Sequence, residues 1–215
     1  MAIHTLRYLY RTRHHGITYY QGKQGEEELT AYVDASWADT PGNIQIDPDP
    51  NGRRSSSGHI IYLAGGPISW ESRTQSITTL SSTEAELVAT VTATRDVLHL
   101  RRVISSIGQH QGTTKVYGDS EPCLKLLEDT HSQTSKRSRH IEVRWFYARE
   151  HQAAGNIRMV KVNTHDNVAD ITTKNLGRTA HHFHATKLVR PHMERKLKTN
   201  GETKQWEINA PHTLI

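Results

Sequence analysis

The chain carries one cysteine, Cys123, in 215 residues. No intramolecular disulfide can form and no cysteine-based zinc site is possible. That usage fits a reducing compartment. No apolar run approaches the roughly 20 residues that cross a bilayer as a helix. No internal repeat is present. The first residues, MAIHTLRYLYRTRHHG, lack a long apolar stretch and a cleavage-like site, so a secretory signal is not expected. Their Arg-rich, acid-free character has a slight transit-peptide flavour, for which a better reading is given below.

Hydrophobic residues make up 34% of the chain, enough for a core but leaving much polar surface. The formal charge is +5 and the pI about 9.3. A moderate basic balance suggests a polyanionic partner without establishing one. Fifteen histidines are many for this length. The cluster His181, His182, Phe183, His184 has no paired ligands at a recognised metal spacing and reads as a solvated helix face.

Residues 1–15 place Ile3, Leu6 and Leu9 at helical spacing between arginines, an amphipathic helix closed by Gly16. ITYYQG is a short strand candidate. LTAYVDASW (29–37) alternates as a strand, with Leu29, Ala31 and Val33 on one face and Tyr32 and Asp34 on the other. Strands disfavour aspartate, so Asp34 needs a reason. Residues 40–57, rich in Pro, Gly, Asn and Asp, read as a loop, and Asp47 and Asp49 as its turn residues. GHIIYLAGG and PISWESR form a hairpin around Gly65-Gly66. SITTL leads, extended, into a long helix from Ser82 to about Ile107, ended by Gly108. A strand over 113–120 ends in Asp119, followed by a short helix (121–129), a polar basic stretch (130–139) and a helix (140–155) closed by Gly155. A strand (156–164) and a final helix (165–176), with Asp166 as N-cap, complete the order. Three strands followed by alternating helices and strands predict an α/β fold, a mixed sheet with helices packed on it. The region from about 190 is polar and irregular and is expected to be poorly ordered.

Four acidic positions sit at strand ends or helix starts: Asp34, Glu84 or Glu86, Asp119 and Asp170. Ligand sites of open sheets gather there. Converging carboxylates repel one another unless cations compensate them. An all-oxygen set selects Mg²⁺ or Mn²⁺ over zinc and suits two-metal phosphodiester chemistry. Each acid also has a bland role: Asp119 could cap the next helix, and Asp170 could favour the positive end of its own.

The stretches AYVDASWAD, RRSSSGHIIYLAGGPISWESRTQ, LSSTEAELVA, VYGDSEPCLKLL, SKRSRHIEVRWFYAREH and NVADITTK occur in this order over roughly residues 29–176. Through them the chain resembles the ribonuclease H domain of copia-type LTR retrotransposon Pol polyproteins. MAIHTLRYLYRTRHHGITYY resembles the segment that joins reverse transcriptase to that domain, so residue 1 is not expected to be a natural domain start. The resemblance implies the ribonuclease H-like fold, a five-stranded mixed sheet flanked by helices. It implies three regions: 1–28 as the end of the reverse transcriptase connection, 29–180 as the ribonuclease H-like domain, and 181–215 as a poorly ordered extension. It also implies hydrolysis of the RNA strand of an RNA/DNA hybrid with two Mg²⁺ ions, for which Mn²⁺ may substitute. Asp34 would bridge both ions, Asp119 would serve the nucleophile side, and Glu86 and Asp170 would complete the shells. Further partners would be the reverse transcriptase of the same polyprotein, with no membrane, and the setting a cytoplasmic virus-like particle.

Glu86 is preferred to Glu84 for two reasons. Ser81-Ser82-Thr83-Glu84 matches a capping box, which gives Glu84 a structural task. Ala85-Glu86-Leu87 also matches the context in which ribonucleases H carry their glutamate. The two side chains point about 200° apart around the helix. Ser36, Ser120, Lys136, Arg137 and Arg139 are assigned to nucleic-acid contacts, with Arg144 extending the basic segment. Trp145, Phe146 and Tyr147 are read as core. His165 is a possible auxiliary proton carrier, although a surface histidine beside a cap is the plainer reading. The 39–55 loop is longer than the family's usual connection. A decayed module that only binds nucleic acid or braces a polymerase is the main alternative. A domesticated interaction protein is another. An integrase-like arrangement fits less well, because it places its glutamate last.

Overall fold

In the computed structural model, residues 2–20, 28–37, 54–128 and 139–191 are described. The elements run α1 (Ala2–Arg11), β1 (His15–Gly16), β2 (Thr30–Ser36), β3 (Ser56–Leu63), β4 (Gly66–Thr74), α2 (Ser82–Ser106), β5 (Thr114–Gly118), α3 (Glu121–Glu128), α4 (Arg139–Ala153) and β6 (Ile157–Lys161). A 3₁₀ turn (Thr164–Asp166), α5 (Asp170–Thr173), α6 (Arg178–Leu188) and β7 (Arg190–Pro191) follow. The main sheet has the order β4-β3-β2-β5-β6. β3 is antiparallel to both neighbours, whereas β2, β5 and β6 are parallel. The expected five-stranded mixed sheet is therefore present. β1 and β7 make a separate two-stranded ladder.

Burial explains the layering. Ala31, Val33 and Ala35 of β2 join Val116 of β5 and Ala85, Ala89, Ala93 and Val97 of α2 in one core. The small residues on α2 recur every fourth position, so one stripe of the helix lies close against the sheet. On the other face of β2, Tyr32 stacks on Tyr117 at 4.9 Å and meets Tyr62 edge-on at 5.8 Å. This aromatic row crosses three strands and fixes their register. Trp145 is buried, and its indole N–H donates to the Leu126 carbonyl at 2.7 Å, tying α4 to α3. Phe146, also expected in the core, is exposed, because it faces away from that seam.

Several local expectations change. Residues 17–20 are not paired in a sheet; the Tyr20 N–H instead donates to the Ala64 carbonyl. The hairpin turn is Ala64-Gly65, both at positive φ (53° and 73°), and Gly66 already belongs to β4. Two successive left-handed residues match the right-handed twist of the flanking strands. β3 starts at Ser56, inside the stretch expected as loop. No strand forms over 76–80. The single helix expected over 165–176 is broken into the 3₁₀ turn and the one-turn α5, and Asn163, not Asp166, caps the first. The extension expected to start at 181 holds α6, which runs across that boundary, and His184 on it is buried. Asp47, Asp49, most of the 39–55 loop, and residues beyond 191 lie outside the described residues.

Gly58 positions α5. A Cβ there would overlap the Thr172 side chain and come within 2.8 Å of the Thr173 methyl. Both neighbours are β-branched and have little rotamer freedom. Gly58→Ala is expected to destabilise the chain by about 1–3 kcal/mol by pushing α5 off the sheet. Urea unfolding checks this, and an unchanged midpoint would contradict it.

Candidate active site

Strand register builds the site. β2 and β5 are parallel neighbours with Tyr32 opposite Tyr117. Two residues further on, at the C-terminal ends of both strands, come Asp34 and Asp119. The first turns of α2 bring Glu86 to the same end. One carboxylate oxygen from each of Asp34, Glu86 and Asp119 lies within 4.8 Å of the others. Asp34 is 1% exposed. Asp170 reaches this group through a cation: Lys174 Nζ donates to Asp34 Oδ1 at 3.1 Å and to Asp170 Oδ1 at 2.8 Å. The Thr173 hydroxyl donates to the other Asp34 oxygen. The structure thus groups Asp34, Glu86 and Asp119 directly and attaches Asp170 by a lysine bridge.

The start of α2 is fixed by a polar network. Ser81 Oγ accepts from the Glu84 N–H at 3.2 Å, and the Glu84 carboxylate accepts from the Leu80 N–H at 2.6 Å. The reciprocal bond of the capping box thus falls one residue earlier than expected, on Leu80 in place of Ser81. Glu84 is occupied there, and Glu86 faces the aspartates. Buried Gln75 donates to Ser57 Oγ at 2.8 Å and to the Ala85 carbonyl at 2.9 Å, joining β3 to the first turn of α2. Across the site, buried Asn167 donates to the Val33 carbonyl at 2.9 Å and accepts from the Ala169 N–H at 3.3 Å. This bond sets the chain direction entering α5.

Electrostatics follow from crowding. Burial, then the charges of Asp34 and Asp119, push the Glu86 carboxyl up to about 9, against Lys174 and the Ala35 N–H that favour its charged form. Burial also raises Asp34, with Lys174 and Thr173 offsetting part of the effect. Burial opposes charge on Lys174, yet the two aspartates hold its pKa above the ordinary lysine value. Cys123 beneath the site is pushed up to about 12 by burial and is inert as a nucleophile at neutral pH. The group is therefore short of positive charge. Three converging oxygens with no nitrogen or sulfur donor fit hard divalent ions of the Mg²⁺ type.

The other expected site residues are scattered. Ser36 is buried at the end of β2. Ser120, not Asp119, caps α3, with Oγ accepting from the Cys123 N–H at 3.4 Å. His165 is exposed on the 3₁₀ turn and its backbone N–H is bound by Asn163. Arg139 begins α4, and Lys136 and Arg137 lie outside the described residues. Sequence reasoning missed Lys174, Thr173 and Asn167. The one available signal was Lys174 four residues after Asp170, a spacing that puts both on one helix face.

Comparison with known proteins yields no match to a family model. The chain is 34% identical over 146 residues to the retrovirus-related Pol polyprotein from transposon TNT 1-94 of Nicotiana tabacum, covering 68% of this chain and 10% of that protein. It is 33% identical over 186 residues to the Pol polyprotein from transposon RE1 of Arabidopsis thaliana, covering 85% and 12%. The chain belongs to the retrovirus-related Pol polyproteins of transposons. It spans about a tenth of the length of these curated relatives. Its sheet order and flanking helices are those of the ribonuclease H-like fold. Among solved structures it is similar to the ribonuclease H1 LC11 isolated from compost, with a TM-score of 0.49, 16% identity, and coverage of 68% of this chain and 93% of that one.

Two predictions follow from the charge balance. Because the fold favours a neutral Glu86, its contribution to stability is fully present below the ordinary carboxylate range. That contribution is lost as pH rises from 4.5 through about 9. Thermal melts in chelator should therefore fall across this window, and Glu86→Gln should flatten the fall and melt higher at its alkaline end. Lys174→Met leaves Asp34 and Asp170 facing each other without a cation. It should destabilise the chelated protein by about 1–3 kcal/mol, less than a fully buried pair because Lys174 is partly solvated. Denaturation with and without Mg²⁺ should show a larger Mg²⁺ stabilisation in the variant than in the unchanged chain.

Proposed function

We propose that this chain is a metal-dependent ribonuclease H that hydrolyses the RNA strand of an RNA/DNA hybrid, within a transposon Pol polyprotein that also supplies a reverse transcriptase. The observation that carries the reading is the grouping of Asp34, Glu86 and Asp119 oxygens within 4.8 Å of one another, with Asp170 joined to Asp34 through Lys174. Kinship to Pol polyproteins supports the substrate class.

In this reading Asp34, Glu86, Asp119 and Asp170 hold the two Mg²⁺ ions. When bound, these ions would supply Lewis acidity to the attacking water and to the leaving 3′-oxygen. Asp34 is suited to serve both ions, since it faces Glu86 and Asp119 on one side and shares Lys174 with Asp170 on the other. The protein's own contribution is preorganisation: Gln75 and Asn167 hold the backbone on the two sides of the site, so the carboxylates are already close before ions arrive. Lys174 screens Asp34 and Asp170 with a charge that bound ions would supply in its place. Ser36, Ser120, Lys136, Arg137 and Arg139 are proposed to contact the hybrid, the basic residues through phosphates. Selectivity for RNA would come from 2′-hydroxyl contacts in a wide minor groove, independent of base sequence. His165, on the exposed turn before α5, is proposed only as an auxiliary proton carrier. The working compartment is proposed to be cytoplasmic, in virus-like particles.

The purified chain should cleave the labelled RNA of a hybrid, leaving 5′-phosphate and 3′-hydroxyl ends, and only with Mg²⁺ or Mn²⁺. Asp34→Asn and Asp119→Asn should fall to the level of the buffer control while still binding hybrid. Hybrid binding without cleavage by the unchanged chain would reduce the assignment to a binding module.

A further inference from the structure

A second group of metal-ligating side chains lies away from the acidic cluster and takes no part in the reaction proposed above. His59 is on β3, Glu71 is its cross-strand partner on β4, and Asp96 projects from α2. One donor atom from each lies within 4.8 Å of the others. The His59 side chain is 2% exposed, and its Nε2 is buried without a hydrogen-bond partner. Asp96 Oδ2 lies 3.0 Å from that nitrogen and pairs with it when the ring is charged.

We propose that His59, Glu71 and Asp96 form a second metal site that binds one divalent transition ion of the zinc class through an imidazole nitrogen and two carboxylate oxygens. Zinc binds such donors at about 2.0–2.2 Å in tetrahedral geometry, so two donors on one ion stand roughly 3.3 Å apart. Nε2 and Oδ2 are already near that separation. The Glu71 side chain is 30% exposed, and its present tie is a 3.6 Å pairing with the well-exposed Arg73. Asp96 is 46% exposed, which leaves water room to fill the fourth position. Burial lowers the His59 pKa, partly opposed by Asp96 and Glu71, and so favours the neutral ring that binds metal.

The donor set distinguishes this site from the first. A nitrogen ligand favours zinc-class ions over Mg²⁺, which takes oxygen donors and keeps its water. Asp96 follows Glu86 by ten residues of α2, about 15 Å along the axis. An ion here would fasten the β3–β4 hairpin to the middle of α2. Its role would be structural.

The test uses the full chain stripped by chelator, with Glu71→Gln and Asp96→Asn. Both replaced side chains are part-exposed, so both variants should fold. Zinc should raise the melting temperature of the unchanged chain and bind at least tenfold more weakly to either variant. Crystals soaked in zinc should show an anomalous peak bounded by His59 Nε2, Glu71 and Asp96. Mg²⁺ stabilisation of both variants should stay unchanged, which separates this site from the acidic cluster. Equal zinc affinity in all three proteins, or anomalous peaks only at Asp34 or at other histidines, would overturn the proposal.

Discussion

Crowded carboxylates at the ends of two parallel strands are the constraint on which the rest of the structure turns. β2 and β5 must pair in parallel to build the sheet, and their pairing sets Asp34 beside Asp119. α2 must start where it does to lay its alanine stripe on β2, and that start delivers Glu86 to the same place. Charges of one sign in a poorly solvated corner raise the energy of the fold. Lys174 offsets this for Asp34 and Asp170. Glu86 receives less help, and its pKa of about 9 records the deficit.

The supporting contacts make sense as answers to that repulsion. Gln75 spans β3 and α2, Asn167 spans the 3₁₀ segment and β2, and Gly58 lets α5 approach β3 without a side chain between them. Each ties a carboxylate-bearing element to the sheet by a neutral bond or by close packing. None adds a second cation. α5 is a single turn, too short to be stable alone, so its place depends on these tertiary contacts. A site that resists splaying by rigidity keeps its carboxylates close enough to hold compensating ions.

What was legible in the sequence follows the range of the interaction. The strand at 30–36 and the long helix at 82–106 carry strong periodic patterns. The Ser81 cap is local, and it distinguishes Glu84 from Glu86 within the sequence itself. The hairpin was visible, but its turn was misplaced by one residue because Ala64 takes a left-handed conformation that sequence assigns to glycine. The break of the last helix was hidden because Asn167 bonds across to Val33, 134 positions away, in preference to continuing a helix. Gly58 and Lys174 matter through residues more than 100 positions distant; no local pattern announces Gly58, and for Lys174 only its i,i+4 spacing from Asp170 does. α6 was obscured by polar composition, although His184 is buried on it.

The two clusters spaced along α2 show opposite solutions to one problem. At the strand ends, like charges are held close and left under-compensated, a costly arrangement that suits a site able to hold cations. Around His59, two carboxylates flank a neutral ring with one buried, unsatisfied nitrogen. There one buried imidazole nitrogen stands between the two carboxylates. The first arrangement favours a hard, exchangeable ion bound by oxygen alone. The second favours an ion that prefers nitrogen and stays. Both sets of donors include a residue of α2, so an ion retained at the second would stiffen the helix that carries Glu86 into the first.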